Sequence, residues 1–168
     1  MSNEQLHDLA EVATLFEMRA DFVSGHPYGS GHINDTFLVT TTQQHQYVFQ
    51  KINKGVFQDV PGLIANKVKV SRHLHHKLST FTEKEKQRRI LTFLQTSTGQ
   101  NYVVDKSGDF WNATIFIDNS QTFETVTNPK VAYEGGKLFG EFIQLTQDFD
   151  ASILVEVIPR FHDMSFRF

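Results

Sequence analysis

The chain has no cysteine among its 168 residues, which removes both a disulfide framework and a thiolate zinc site. Proline is scarce as well. None of the four prolines (Pro27, Pro61, Pro129, Pro159) follows a serine by two positions. The Cys/Ser-x-Pro-x-Arg setting that sulfatases convert to formylglycine is therefore missing. There is no surplus of positive charge either. Lys and Arg number 16 against 19 Asp and Glu, for a net charge of −3 and a pI near 6.2. No basic field exists to hold nucleic acid non-specifically. No apolar run approaches the ~20 residues needed to span a bilayer. Met1 to Leu9 lacks the basic flank and apolar core of a secretory signal. Together these absences predict a cytoplasmic protein with neither a nucleic-acid nor a membrane partner.

What the chain does have is aromatic mass. Sixteen phenylalanines and one tryptophan, within a 39% hydrophobic composition, supply core area for one domain, or for one domain and a fragment of a second. Leu6, Leu9, Ala10, Ala13 and Phe16 recur at helical spacing and predict a helix over Asn3 to Arg19. Phe22 to Tyr28, Thr36 to Thr41 and Gln46 to Ile52 read as three strands of an antiparallel meander. Pro61 opens a second helix carrying Leu63, Ile64, Val68, Leu74 and Leu78 on one stripe. The charged run Glu83 to Arg89 reads as a solvated loop or strand edge, and Ile90 to Gln95 as a strand. Tyr102 to Val104 and Phe110 to Ile117 form a further predicted hairpin. Asn128 caps a third helix that begins at Pro129. Its Gly136 and Gly140 each cost about 1 kcal/mol relative to alanine, which predicts close packing there as compensation. His73, His75 and His76 read as surface histidines, since positions i and i+2 of a helix point apart.

The bend Tyr28-Gly29-Ser30-Gly31-His32-Ile33-Asn34-Asp35 between the first two strands holds the strongest functional signal. Glycine permits positive φ and a close approach of backbone to ligand. Successive amides in such a bend form an anion-binding concavity suited to phosphate. A plain hairpin turn needs the same residue types, and Asn34 and Asp35 serve either use. The helix order, the glycine bend, and a basic residue on the third strand (Gln50-Lys51) match the small lobe of kinase-like folds, where a glycine loop covers the ATP phosphates. Strand alternation allows only one of Gln50 and Lys51 to face a nucleotide.

Three segments carry a family resemblance. Pro27-Tyr28-Gly29-x-Gly31-His32-Ile33-Asn34-Asp35-Thr36, Val48-Phe49-Gln50-Lys51-Ile52-Asn53 with Val56-Phe57, and Pro159-x-Phe161-His162 resemble the N-acetylhexosamine 1-kinases. Those are bacterial members of the aminoglycoside phosphotransferase and choline kinase superfamily. The resemblance implies an α+β fold: a protein-kinase-like small lobe with an antiparallel sheet and flanking helices over residues 1–118. A hinge and the first helical segment of a second lobe would follow over 119–168. It implies ATP and Mg2+ as cofactors and a small hydroxylated substrate, with the anomeric hydroxyl of an N-acetylhexosamine favoured over choline, homoserine or an aminoglycoside. Gly29, Ser30 and Gly31 then resemble the phosphate loop, with His32 and Asn34 within reach of it, Asn34 as a turn former or either as a contact to phosphate or sugar. Gln50 or Lys51 occupies the phosphate-pairing position, and Phe116, Ile117 and Asp118 form the adenine-side hinge.

No catalytic or metal-binding residue carries over. The aspartate base, the asparagine metal ligand and the later metal-binding aspartate of that family are expected beyond Phe168. Three phenylalanines in the last eight residues agree, because they predict a chain passing into another core. A surface left open by that passage is expected to self-associate, through the Val131–Leu145 helix or the Phe161–Phe168 tail. One departure stands out. Protein kinases pair the third-strand lysine with a glutamate on the next helix, yet Pro61 to Leu78 contains no acidic residue. It carries Lys67, Lys69, Arg72 and Lys77 instead. These read as a solvated basic face, or as groups acting directly on polyphosphate.

Overall fold

Alternating apolar and polar residues build a five-stranded sheet, seen in a computed structural model that describes residues 3–123, 125–126 and 128–167. The strands are β1 (Phe22–Pro27), β2 (Asp35–Thr41), β3 (Gln46–Lys51), β4 (Val103–Val104) and β5 (Phe110–Ile115). They pair antiparallel in the order β1-β2-β3-β5-β4. The first three strands are the expected meander, and the fold class is α+β.

Residues directly opposite each other on paired strands share a face, so the register fixes two very different surfaces. On one, Phe37, Phe49 and Ala113 form a row, and Val39, Tyr47 and Ile115 the next. Helix α1 (Asn3–Thr14) covers this face with Leu9, Val12 and Ala13, all fully buried. Phe16 meets Phe49 edge-on at 5.5 Å between ring centroids. Gly25 on β1 makes the close docking possible: a Cβ there would run into the Leu9 side chain.

The opposite face carries a polar row, Thr36–Gln50–Asn112, spanning β2, β3 and β5. Helix α2 (Val60–Lys77) lies on this side, packing Val60 and Ile64 against Ile52 with Leu63 and Phe110 alongside. Its start is well specified. Pro61 sits in the first turn and the Asp59 carboxylate accepts from the Gly62 N–H at 2.8 Å, satisfying an orphan helix donor. Helix α4 (Pro129–Thr146) begins as expected, with Asn128 accepting from the Lys130 N–H at 2.9 Å. The 3-10 turn Ala151–Ile153 and helix α5 (Met164–Arg167) follow. Among the described residues no helix is long and apolar enough to cross a membrane.

Several expectations are corrected. Helix α1 stops at Thr14 rather than Arg19: Leu15 and Phe16 turn back onto Val12 and Ala13 carbonyls, and the Glu17 N–H bonds Gln95. The charged run is helical, not a loop. Helix α3 (Glu83–Gln87) is nucleated by a capping box in which Thr82 and Glu85 satisfy each other's backbone N–H groups. Ile90 to Gln95 is not a regular strand, and touches the sheet through a single Phe93–Thr114 bridge made by the Leu94 N–H to the Ala113 carbonyl and the Ile115 N–H to the Thr92 carbonyl. Gly136 and Gly140 are not at a close contact, since a Cβ at either would meet nothing within 4 Å. The α4 face around Leu138, Phe139 and Ile143 is exposed.

Nor is the α2 basic face simply solvated. Lys69 donates to the Ile153 carbonyl at 2.6 Å and Lys77 pairs with Asp148 at 2.9 Å. Asn66 exchanges two bonds with the backbone of Val155. His73, expected at the surface, is half-buried: its Nε2 lies 3.0 Å from the Leu145 carbonyl and its ring stands against Phe149. Helix α2 therefore ties the sheet to the segment from the end of α4 to Val155.

Candidate nucleotide site

The bend between β1 and β2 runs from Tyr28 to Asn34. Gly29 has φ of +79°, a conformation that disfavours any side chain with a Cβ. Gly29, Ser30, Gly31 and His32 are all exposed, and nothing lies within 4 Å of where a Cβ on Gly29 or Gly31 would project. The backbone there is open to a ligand. Both roots of the bend are fixed. The Tyr28 N–H bonds the Thr36 carbonyl at 2.9 Å, and the Asn34 side chain accepts from the Asn53 N–H at 3.0 Å.

The register settles which of Gln50 and Lys51 shares a face with α2. It is Gln50. Its amide lies 3.5 Å from the Thr36 hydroxyl, and its Oε1 accepts from Lys67 Nζ of α2 at 3.4 Å. Lys51 belongs to the α1 face and is taken up elsewhere: Asp109 holds it at 2.6 Å and Lys54 at 2.7 Å. Neither contact is signalled by the local sequence: Lys67 is one of four α2 cations with the same possible roles, and Asp109 lies in the connection between β4 and β5.

Asp109 gives the arrangement a pH signature. Hydrogen bonds from Lys51 and then Lys54 hold its carboxyl below the usual carboxylate range, so near pH 4 the folded state binds fewer protons than the unfolded chain. The resulting stability is complete above the unfolded aspartate value of about 3.9 and is lost as pH falls through the folded value. With both lysines more than a third exposed, the gain is about 1 kcal/mol or less. Asp109→Asn is expected to lower the urea midpoint at neutral pH and to match wild type once both are acidified below the folded-state value. A variant as stable as wild type at neutral pH would show that the cluster contributes nothing.

Phe116, Ile117 and Asp118, the residues expected at a hinge, follow the end of β5. Phe116 meets Tyr28 edge-on at 5.7 Å, joining the root of the glycine bend to the end of β5 across the polar face. The Phe116 N–H bonds the Gln46 carbonyl, the Ile117 carbonyl accepts from Ser120, and the Asp118 carbonyl accepts from Arg88 at 2.7 Å. Phe116, Ile117 and Asp118 also line a cavity of about 370 Å³ with Arg19, Lys84 and Arg88. None of Gly29, Ser30, Gly31, Gln50 or Lys67 lines it, so it lies outside the group formed by the bend and the polar row. Among the described residues no three His, Asp or Glu side chains come together to hold a metal ion.

No protein-family model matches the chain. Among solved structures it is similar to the aminoglycoside phosphotransferase from Alicyclobacillus acidocaldarius subsp. acidocaldarius DSM 446, with a TM-score of 0.56 and 15% identity. The likeness covers 88% of this chain. The fold is that of a kinase-like small lobe. At that identity it is the fold that is shared, and the chain spans 37% of the phosphotransferase's length. Within this frame the glycine bend joins β1 to β2, α1 covers the apolar face, and α2 shares the face that carries the polar row.

Proposed function

We propose that this chain is the nucleotide-binding part of a phosphotransferase, which passes the γ-phosphoryl group of ATP to the hydroxyl of a small molecule. The observation that carries the reading is the fold shared with a phosphotransferase over most of the chain. The local chemistry fits the group. An open glycine bend offers backbone donors, a half-buried lysine lacks a carboxylate partner, and the Asn112 Oδ1 is buried without a hydrogen-bond partner among the described residues. The Gly29-x-Gly31-His32-Ile33-Asn34-Asp35-Thr36 motif favours an N-acetylhexosamine as acceptor, at its anomeric hydroxyl. In this proposal residues up to about Asp118 form the nucleotide lobe. The base that takes the hydroxyl proton and the Mg2+ ligands belong to residues outside 1–168.

Catalysis in such enzymes rests on positioning and charge stabilisation, and this chain supplies the positioning of the nucleotide. Residues 1–168 are therefore expected to bind ATP without turning it over. Radiolabelled ATP incubated with this chain and a panel of N-acetylhexosamines, choline, homoserine and an aminoglycoside checks the second half. Phosphorylated product from residues 1–168 alone would place the chemistry inside this chain and refute the division proposed here.

A further inference from the structure

Four cations line α2, and they differ in what they meet. Lys69 and Lys77 are taken up by the chain that follows α4, and Arg72 is exposed. Lys67 alone among them turns toward the sheet. Its Nζ approaches the neutral Gln50 amide at a long 3.4 Å, and no carboxylate pairs with it among the described residues. Burial pushes its ammonium below the usual lysine value, with no compensating charge. Such a cation costs stability rather than adding it. Its surroundings are also incomplete. Gln50 faces Thr36 on one side and Asn112 on the other, and Asn112, 1% exposed, keeps its Oδ1 unpartnered. Thr36 is two residues past Asn34, where the glycine bend ends. The unpaired ammonium, the unfinished polar row and the open bend therefore adjoin one another.

Resting on the nucleotide reading above, we propose that Lys67 of α2, oriented by Gln50, is the cation that binds the ATP phosphates, and that Lys51 is not. The usual kinase arrangement, a strand lysine held by a helix glutamate, is then inverted: the helix supplies the charge and the strand the neutral group that aims it. A phosphate arriving beside Lys67 gives it the counter-charge it lacks.

The test compares wild type with Lys67→Met, Lys67→Arg and Lys51→Met by calorimetric titration of Mg-ATP, inorganic triphosphate and adenosine. Lys67→Met is expected to weaken ATP and triphosphate at least tenfold and to leave adenosine within about twofold. Lys67→Arg should retain part of the affinity, and Lys51→Met should stay within about twofold for all three probes. The melting temperature without ligand is expected to be unchanged or raised in Lys67→Met, where a merely structural lysine would lower it. A second readout needs no variant. In wild type, ATP is expected to slow reductive methylation of Lys67 several-fold, measured by mass spectrometry, with Lys106, 83% exposed and paired with Glu11 of α1, as the internal control. Wild-type ATP affinity in Lys67→Met, or Lys67 labelling indifferent to ATP in a protein that binds it, overturns this assignment and leaves the nucleotide reading standing. A folded wild type that binds neither ATP nor triphosphate overturns both.

Discussion

Replacing Phe49 with alanine is expected to cost about 3–5 kcal/mol of stability, a large share of the ~5–15 kcal/mol that holds a typical domain together. Phe49 is 0% exposed and lies between Phe37 and Ala113 in the central row of the α1 face. Its ring also receives Phe16 edge-on from the segment after α1. Truncation removes the apolar transfer energy of a whole ring and leaves a void that α1 cannot fill, because Leu9 is already seated over Gly25. Urea unfolding is followed conveniently by fluorescence, since Trp111 is the single tryptophan and lies in the same core cluster. A loss below about 1 kcal/mol would mean that the α1 face is not the core that holds this sheet.

Asp105→Ala is the second large effect, about 2–3 kcal/mol, and it comes from polar groups instead of apolar area. The Asp105 carboxylate accepts from the Ser107 and Asp109 N–H groups, each at 2.9 Å, and from the Trp111 indole N–H at 2.7 Å. Trp111 is 4% exposed. Without the carboxylate its N–H is a donor held away from water, and leaving such a group unsatisfied is costlier than the bond was worth. The turn that presents Asp109 to Lys51 and Lys54 loses its anchor at the same time. Asp105→Asn keeps an acceptor oxygen and should cost less. The order Ala worse than Asn, read from urea midpoints, is the expected result. An alanine variant with wild-type stability would show that Trp111 finds another partner.

The first three strands were legible in the sequence because alternation marks their faces and short turns make them neighbours: each of the three meander strands lies within a residue of its expected bounds. The pairing of β5 with β3 was not legible. Helices α2 and α4 were legible from Pro61 and Asn128-Pro129. What escaped was information that only tertiary contact supplies, or a short signal outweighed by a longer one. The Thr82-x-x-Glu85 capping box was present in the sequence, yet seven consecutive charged or polar residues argued for a loop. Alternation showed that Gln50 and Lys51 face opposite ways but not which face α2 would cover. That choice depends on where Ile64 and Val60 find Ile52, a contact between segments joined by an intervening loop. Lys67 is the clearest case. Nothing in its local sequence separates it from Lys69, and only its approach to Gln50 across the α2–β3 gap does. Gly136 and Gly140 failed in the other direction, since a helix-interior glycine suggested a close neighbour and none is present.

In the proposed function the glycine bend and the polar row receive the phosphates of a nucleotide. Calorimetric titration of the 168-residue chain with Mg-ATP tests it most directly, alongside Gly29→Val, which forces a β-branched residue into the positive φ that Gly29 adopts. Saturable binding by wild type, with affinity at least tenfold weaker in a Gly29→Val variant that still folds, is the predicted result. A folded wild type that takes up no ATP, or one whose affinity is unmoved by Gly29→Val, would contradict it.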